Sequence, residues 1–280
     1  MYMKKIDTEL VLEIASKFKK TDGFQQKTKN CGRGIFQTNT IINSESASKK
    51  FGKEIGEYVS FTFDDLLFFD VQAKEILTNQ IIKSIKSLIQ KANNNPKKIL
   101  VVGLGNDKYA CDSLGNKVTE RTLATKPYLD KKLFTKKQMK EVYTIIPGVF
   151  GQTGIESLDI IKSVCSFLKP DLVVVIDSMV AGKTDTLARS VQISGTSLSP
   201  GGGVGNTRKE FSKKTLGTNI LAIGAPMVVN LKQICDGDEN LIVSPKDVEQ
   251  KVSVLAKIIA KAINKSFCNL IEKQYDELTK

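Results

Sequence analysis

Apolar positions along the 280-residue chain alternate between short β-branched runs and longer stretches repeating every three to four residues. The runs Ile99–Val102, Val142–Ile146, Leu172–Ile176, Val191–Ser194 and Ile220–Ile223 are short, continuous and bounded by breakers, as expected of buried strands. Tyr58–Phe63 alternates and predicts a half-buried strand. Between these runs the spacing turns helical. Val71–Ile89 places Ile76, Leu77, Ile81, Ile85, Leu88 and Ile89 on one face and ends at Asn93-Asn94-Asn95-Pro96. Ile155–Leu168 predicts a helix with Ile160, Ile161, Val164 and Phe167 turned inward, and Asn116–Ala124 predicts a shorter one. A last helix carries Val248, Val252, Leu255, Ile259 and Ile263, with Ser244 as N-cap and Pro245 at its first position. A first helix is predicted from Thr8 to about Lys19, capped by Asp7 or Thr8. Residues 20–65 read as an irregular, strand-bearing excursion. Strands alternating with helices predict one α/β domain with a largely parallel central sheet.

Composition narrows the chemistry. The chain has 41% hydrophobic and 26% charged residues, the balance of an ordinary globular protein. No apolar run approaches the roughly 20 residues of a membrane span, and MYMKKIDTEL lacks the apolar core of a secretory signal, so a cytoplasmic location is expected. Five cysteines without close pairs oppose a disulfide framework and zinc spacing. There is no histidine, which removes Ser-His-Asp and Cys-His catalysis and any His-ligated metal site; no metal or cofactor is expected. The net charge of +12 comes from scattered lysines and does not by itself point to nucleic acid.

Two acids follow hydrophobic strands: Asp112, beyond Gly103-Leu104-Gly105-Asn106, and Asp177, where Leu172–Ile176 ends. In open α/β sheets ligands gather at the carboxyl ends of strands. Two carboxylates brought close share one proton and can activate water. The competing reading is that Asp112 caps the next helix and Asp177 merely closes a strand. The glycines of Gly201-Gly202-Gly203-Val204-Gly205-Asn206, with Arg208 nearby, have two readings as well: backbone N–H groups lining a substrate, or a surface loop. Gly148, Gly151 and Gly154 share that ambiguity. Gly103-Leu104-Gly105 is not a dinucleotide fingerprint, since Lys108 stands where the third glycine is needed; a turn admitting close backbone approach fits better.

The segments PGVFGQTGIESLDII, KPDLVVVIDSM, VQIS, PGGGVGNTRKEFSKKTLG, ILAIGAPMVV and VSPKDVE, with VVGLGN followed by Asp112-Ser113-Leu114-Gly115, resemble the spore germination protease family, atypical aspartic endopeptidases that degrade small acid-soluble spore proteins. The resemblance covers most of the chain from Ile99 onward. It implies a catalytic dyad of Asp112 and Asp177, substrate binding at the glycine segments, a homotetramer in the spore core, and a zymogen that trims its own N-terminus. The family cuts after Glu and before Ile or Phe followed by Ala; Glu13-Ile14-Ala15-Ser16 fits, so residues 1–13 are a candidate propeptide and 14–280 the catalytic domain. The resemblance further implies a fold like that of hydrogenase-maturation endopeptidases, whose metal-binding histidine has no counterpart here. The chain departs from the family at Ser178-Met179-Val180-Ala181-Gly182, where an alanine- and arginine-rich segment is expected, and at Gly195, where the family carries an acid. An insertion between Ile234 and Ser244 is missing. Two further readings therefore stand: a related maturation endopeptidase with another client, and a catalytically weakened paralogue that binds without cutting.

Overall fold

A computed structural model describes residues 8–18, 23–92, 95–200, 209–235 and 241–279. The chain opens with α1 (Val11–Ala15), the hairpin β1 (Phe24–Gly32) and β2 (Ile35–Ile42), α2 (Glu45–Phe51), β3 (Gly56–Thr62) and α3 (Val71–Lys91). There follow β4 (Lys98–Gly103), α4 (Leu114–Glu120), α5 (Lys126–Asp130), β5 (Glu141–Ile145), α6 (Phe150–Thr153), α7 (Ser157–Leu168), β6 (Leu172–Ala181) and β7 (Ser190–Ser194). The last elements are α8 (Lys213–Leu216), β8 (Asn219–Asn230), β9 (Ile242–Val243), α9 (Val248–Phe267) and α10 (Glu272–Thr279).

One α/β sheet carries the order β1-β2-β3-β7-β8-β6-β4-β5, with β9 added at the end of β8. Parallel pairing is confined to β5-β4-β6-β8. The other pairs are antiparallel, extending the parallel core into a mixed sheet. The stretch read as an irregular excursion is therefore regular: Phe24 pairs with Ile42 and Thr28 with Thr38 across a hairpin turning at Gly32. Polar residues on this edge hairpin (FQQKTKNCG) hid its strand character, because most of β1 faces water.

Residues of β6 sort by the pleat. Leu172, Val174 and Ile176 enter the core under α3, α4 and α9, with Ile81, Val118 and Ile259. Val173 and Val175 enter the opposite core with Ile161 and Phe211. Burying the 20-residue α9 through Val252, Leu255, Ile259 and Ile263 realises the predicted face. Its start differs: the helix begins at Val248 behind Asp247, not at Pro245 behind Ser244. In α7 the inward residues are Leu158, Ile161 and Cys165, whereas Phe167, expected inside, is 85% exposed on the outer face. α1 is shorter than predicted, with Leu10 as N-cap and no side-chain cap. Its Leu10, Val11, Ile14 and Ala15 are buried, three of them against Phe24, Ile42 and Tyr58. Among the described residues no helix is long and apolar enough to cross a membrane.

Candidate active site

The site follows from a mismatch in strand length. β4 ends at Gly103 opposite Ile176, but β6 runs five residues further, paired on its other side with β8. Asp177 thus lies within a ten-residue strand rather than at its end; what ends beside it is β4. Leu104 still donates its N–H to Ile176 O, and the chain then turns away. Past that turn opens a cavity of about 210 Å³, lined by Glu9, Gly105, Cys111, Asp112, Val149, Asp177, Ser178, Val180, Pro200, Lys209 and Phe211, among others. Two acids 65 positions apart in sequence share its wall.

Asp112 reaches the cavity from a single turn, Ala110–Asp112, whose last carbonyl and carboxylate bind the preceding loop. The Asn106 N–H donates to Asp112 O (2.9 Å) and to its Oδ2 (3.0 Å). This turn can sit so close only because of two glycines. Gly105 is left-handed (φ 115°), and a Cβ there would fall 1.9 Å from Asp112 O. A Cβ on Gly115 would fall 2.3 Å from Leu104 O and 2.4 Å from Ile176 O, so α4 lies directly on the ends of β4 and β6. The sequence GLGN…DSLG is thus a close-approach device, and it aims Asp112. Asp112 does not cap α4: the N-cap is Ser113, without a side-chain cap bond.

Asp177 is 5% exposed and accepts the Ser178 N–H on Oδ1 (2.9 Å). It stands between the main cavity and a smaller one lined by Lys53, Tyr58, Gln192, Ser194 and Gly224. Burial lowers the pKa of Lys53 against the pull of Glu9 and Glu210, and burial lifts the Tyr58 phenol well above its ordinary range. Tyr58 OH donates to Glu54 O (2.8 Å) and receives Thr196 Oγ1 (3.0 Å). Burial, reinforced by Asp112, raises the Cys111 thiol.

The structure disperses some of the expected residues. Of the turn Gly148–Gly154, Val149 lines the cavity but the three glycines do not; Gly148 is left-handed and Gly154 ends α6. The turn touches the Asp112 loop through Gln152 Nε2, which donates to Asn106 Oδ1 (2.8 Å). Gly201, Gly202, Gly203, Gly205, Asn206 and Arg208 lie outside the described residues; their flanks Pro200 and Lys209 line the cavity. Glu13 and Ile14, the expected processing site, are buried away from that lining. The Glu13 carboxylate accepts the Gly182 N–H (2.7 Å) and the hydroxyls of Thr8 and Thr186.

Two cavity residues carried no signal in the sequence. Glu9 donates its N–H to Val180 O (3.0 Å) and accepts the Val180 N–H on Oε2 (2.8 Å). Among the described residues the buried Ser178 Oγ has no hydrogen-bond partner. Among the described residues no cluster of three or more His, Cys, Asp or Glu side chains is arranged to hold a metal ion.

Residues 4–238 match the profile described as germination protease. The chain belongs to the germination protease family. The germination protease of Clostridium tetani is 32% identical over 86% of this chain and 87% of that protein. Those of Caldanaerobacter subterraneus (32% identical, 96% and 83% covered) and Clostridium perfringens strain SM101 (34%, 86% and 75%) are similarly related. Among solved structures, a NiFe hydrogenase maturation protease from Thermococcus kodakarensis aligns at 19% identity over 64% of this chain and 98% of its own, with a TM-score of 0.35. Membership supports a protease acting in spore germination, and both candidate acids line the cavity.

Proposed function

We propose that this germination protease is an aspartic endopeptidase in which Asp112 and Asp177 bind one water and activate it against a peptide carbonyl. The observation that carries the reading is that both acids line one cavity at the carboxyl edge of the parallel strands, in a chain without histidine. One carboxylate takes the proton of the attacking water; the other, protonated, donates to the carbonyl oxygen. The substrates proposed are small acid-soluble spore proteins, attacked in the spore core by a homotetramer; the glycine segments Gly148–Gly154 and Gly201–Gly205 and the adjacent Asn206 and Arg208 would border the substrate. Incubating the protein with a peptide containing Glu-Ile-Ala-Ser and sequencing the products tests this. A cut after Glu is expected. Binding without turnover would favour the paralogue reading, and a cut at unrelated bonds the maturation-endopeptidase reading.

Self-trimming of the N-terminus belongs to the same proposal. The Glu13-Ile14 bond fits the family's rule, but Glu13 is anchored at Gly182, five residues and about 16 Å along β6 from Asp177. Cutting there requires α1 to be released first. Among residues 8–13 the acid that lines the cavity is Glu9, which favours Glu9-Leu10 as a second candidate bond although it lacks the family's Ile or Phe after the cut. Mass spectrometry of the trimmed chain distinguishes a product starting at Ile14 from one starting at Leu10.

A further inference from the structure

The same length mismatch that opens the cavity leaves one side of β6 without a neighbouring strand. From Leu172 to Ile176 the backbone pairs with β4; beyond Gly103, among the described residues, no strand continues on that side. Residues alternate in the direction of their N–H and C=O along a strand. Ile176 O faces β4, so Ser178, Val180 and Gly182 present their groups to the same open side. An edge of this kind is a template for another extended chain.

The residues covering it belong to the protein's own N-terminal segment. Glu9 places both its N–H and its carboxylate on Val180, at 3.0 and 2.8 Å. Thr8 Oγ1 donates to Val180 O (3.3 Å), and Glu13 Oε2 accepts from the Gly182 N–H. The segment is also held by Gln192 of β7, which accepts the Val11 N–H on Oε1 (2.7 Å) and donates Nε2 to Glu9 O (3.3 Å); its pairing with β6 is confined, among the described residues, to this overhang. It is made partly by side chains, so the segment mimics a strand without continuing the ladder, and a regular extended chain could complete it.

We propose that the overhanging edge of β6, Ser178 to Gly182, is the rail on which this protease holds its substrate: an unfolded peptide adds as a strand, donating a backbone N–H to Val180 O and accepting the N–H groups of Val180 and Gly182. Residues 8–13 stand in for that peptide and leave as it enters. The main-chain ladder reads no sequence, as suits protein substrates without structure, and it sets the peptide's register over the aspartates. The inference rests on the protease reading and adds to it where the substrate backbone lies.

The test is a set of peptide substrates containing Glu-Ile-Ala-Ser, each N-methylated at one residue, cut by the full-length protein. Each methyl group removes one N–H donor. An added strand loses rate at every second residue, by about tenfold at the residue facing Val180, since one hydrogen bond and a steric contact are disturbed there. Residues between are tolerated. Losses without alternation, or confined to the scissile amide, overturn the rail while the unmethylated peptide is still cut. If that parent peptide is neither bound nor cut, the protease reading fails and the rail falls with it.

Discussion

Gly105→Ala separates a structural glycine from a catalytic one in a single experiment. Its φ of 115° lies where side chains are rarely found, a strain of about 1–3 kcal/mol for a non-glycine residue. The new methyl group would also fall 1.9 Å from Asp112 O, where an ordinary contact begins at 3.4 Å, so the Asp112 turn must withdraw by about 1.5 Å. That oxygen is backbone, bonded to the Asn106 N–H, and has no flexible end to swing aside. A misplacement of about 1 Å costs on the order of 100-fold in rate. The strain lowers the melting temperature by only about 2–10 °C in a chain of this size. The assay pairs peptide cleavage with thermal unfolding, using Gly195→Ala as control, because nothing among the described residues lies within 4 Å of a Cβ there. A Gly105→Ala protein with unchanged rate and unchanged melting would refute the seat described for Asp112.

Two further outcomes follow from the geometry. Asp65 is hydrogen-bonded by Arg189 and also by Lys251 (3.0 Å), which hold its carboxyl down to about 2. A depressed carboxyl adds stability above its unfolded pKa and loses it as the pH falls through the folded one, so the contribution should fade between about pH 4 and pH 2. Because Asp65 is partly exposed, that contribution is about 1 kcal/mol or less; Asp65→Asn should flatten the acid limb of melting temperature against pH, and an unchanged limb would contradict the pairing. Burial pushes the Cys268 thiol up to about 12 and raises Cys165, while Cys235 is exposed. A thiol reagent at pH 8 should therefore label Cys235 in the folded protein and the other two only on unfolding; rapid labelling of Cys268 in the native state would contradict its burial.

How far the sequence disclosed this structure depends on which residues faced the core. Strands β4, β6 and β8 and helices α3 and α9 are apolar where they pack, so their periodicity is legible, as in Ile81, Leu255 and Ile259. The hairpin β1-β2 is not, because its polar edge strand satisfies its hydrogen bonds with one neighbour and shows water its side chains. Phe167 misled because it is an apolar residue on the face of α7 that, among the described residues, no other element covers, and burial cannot be read from residue type alone. In the site, Asp112 and Asp177 stood out as acids after apolar runs. The overhang of β6 beyond β4 did not, since relative strand length is a property of pairing and not of either segment. Glu9 acquires meaning only through that overhang, by binding its backbone.

The most direct measurement of the central claim is cleavage by Asp112→Asn and Asp177→Asn, each checked for an unchanged melting temperature. Replacing either acid keeps the shape and removes the proton acceptor or donor, so the rate should fall by about 10²–10⁴ in both variants. Full activity in either one, in a folded protein, would contradict the paired-aspartate account.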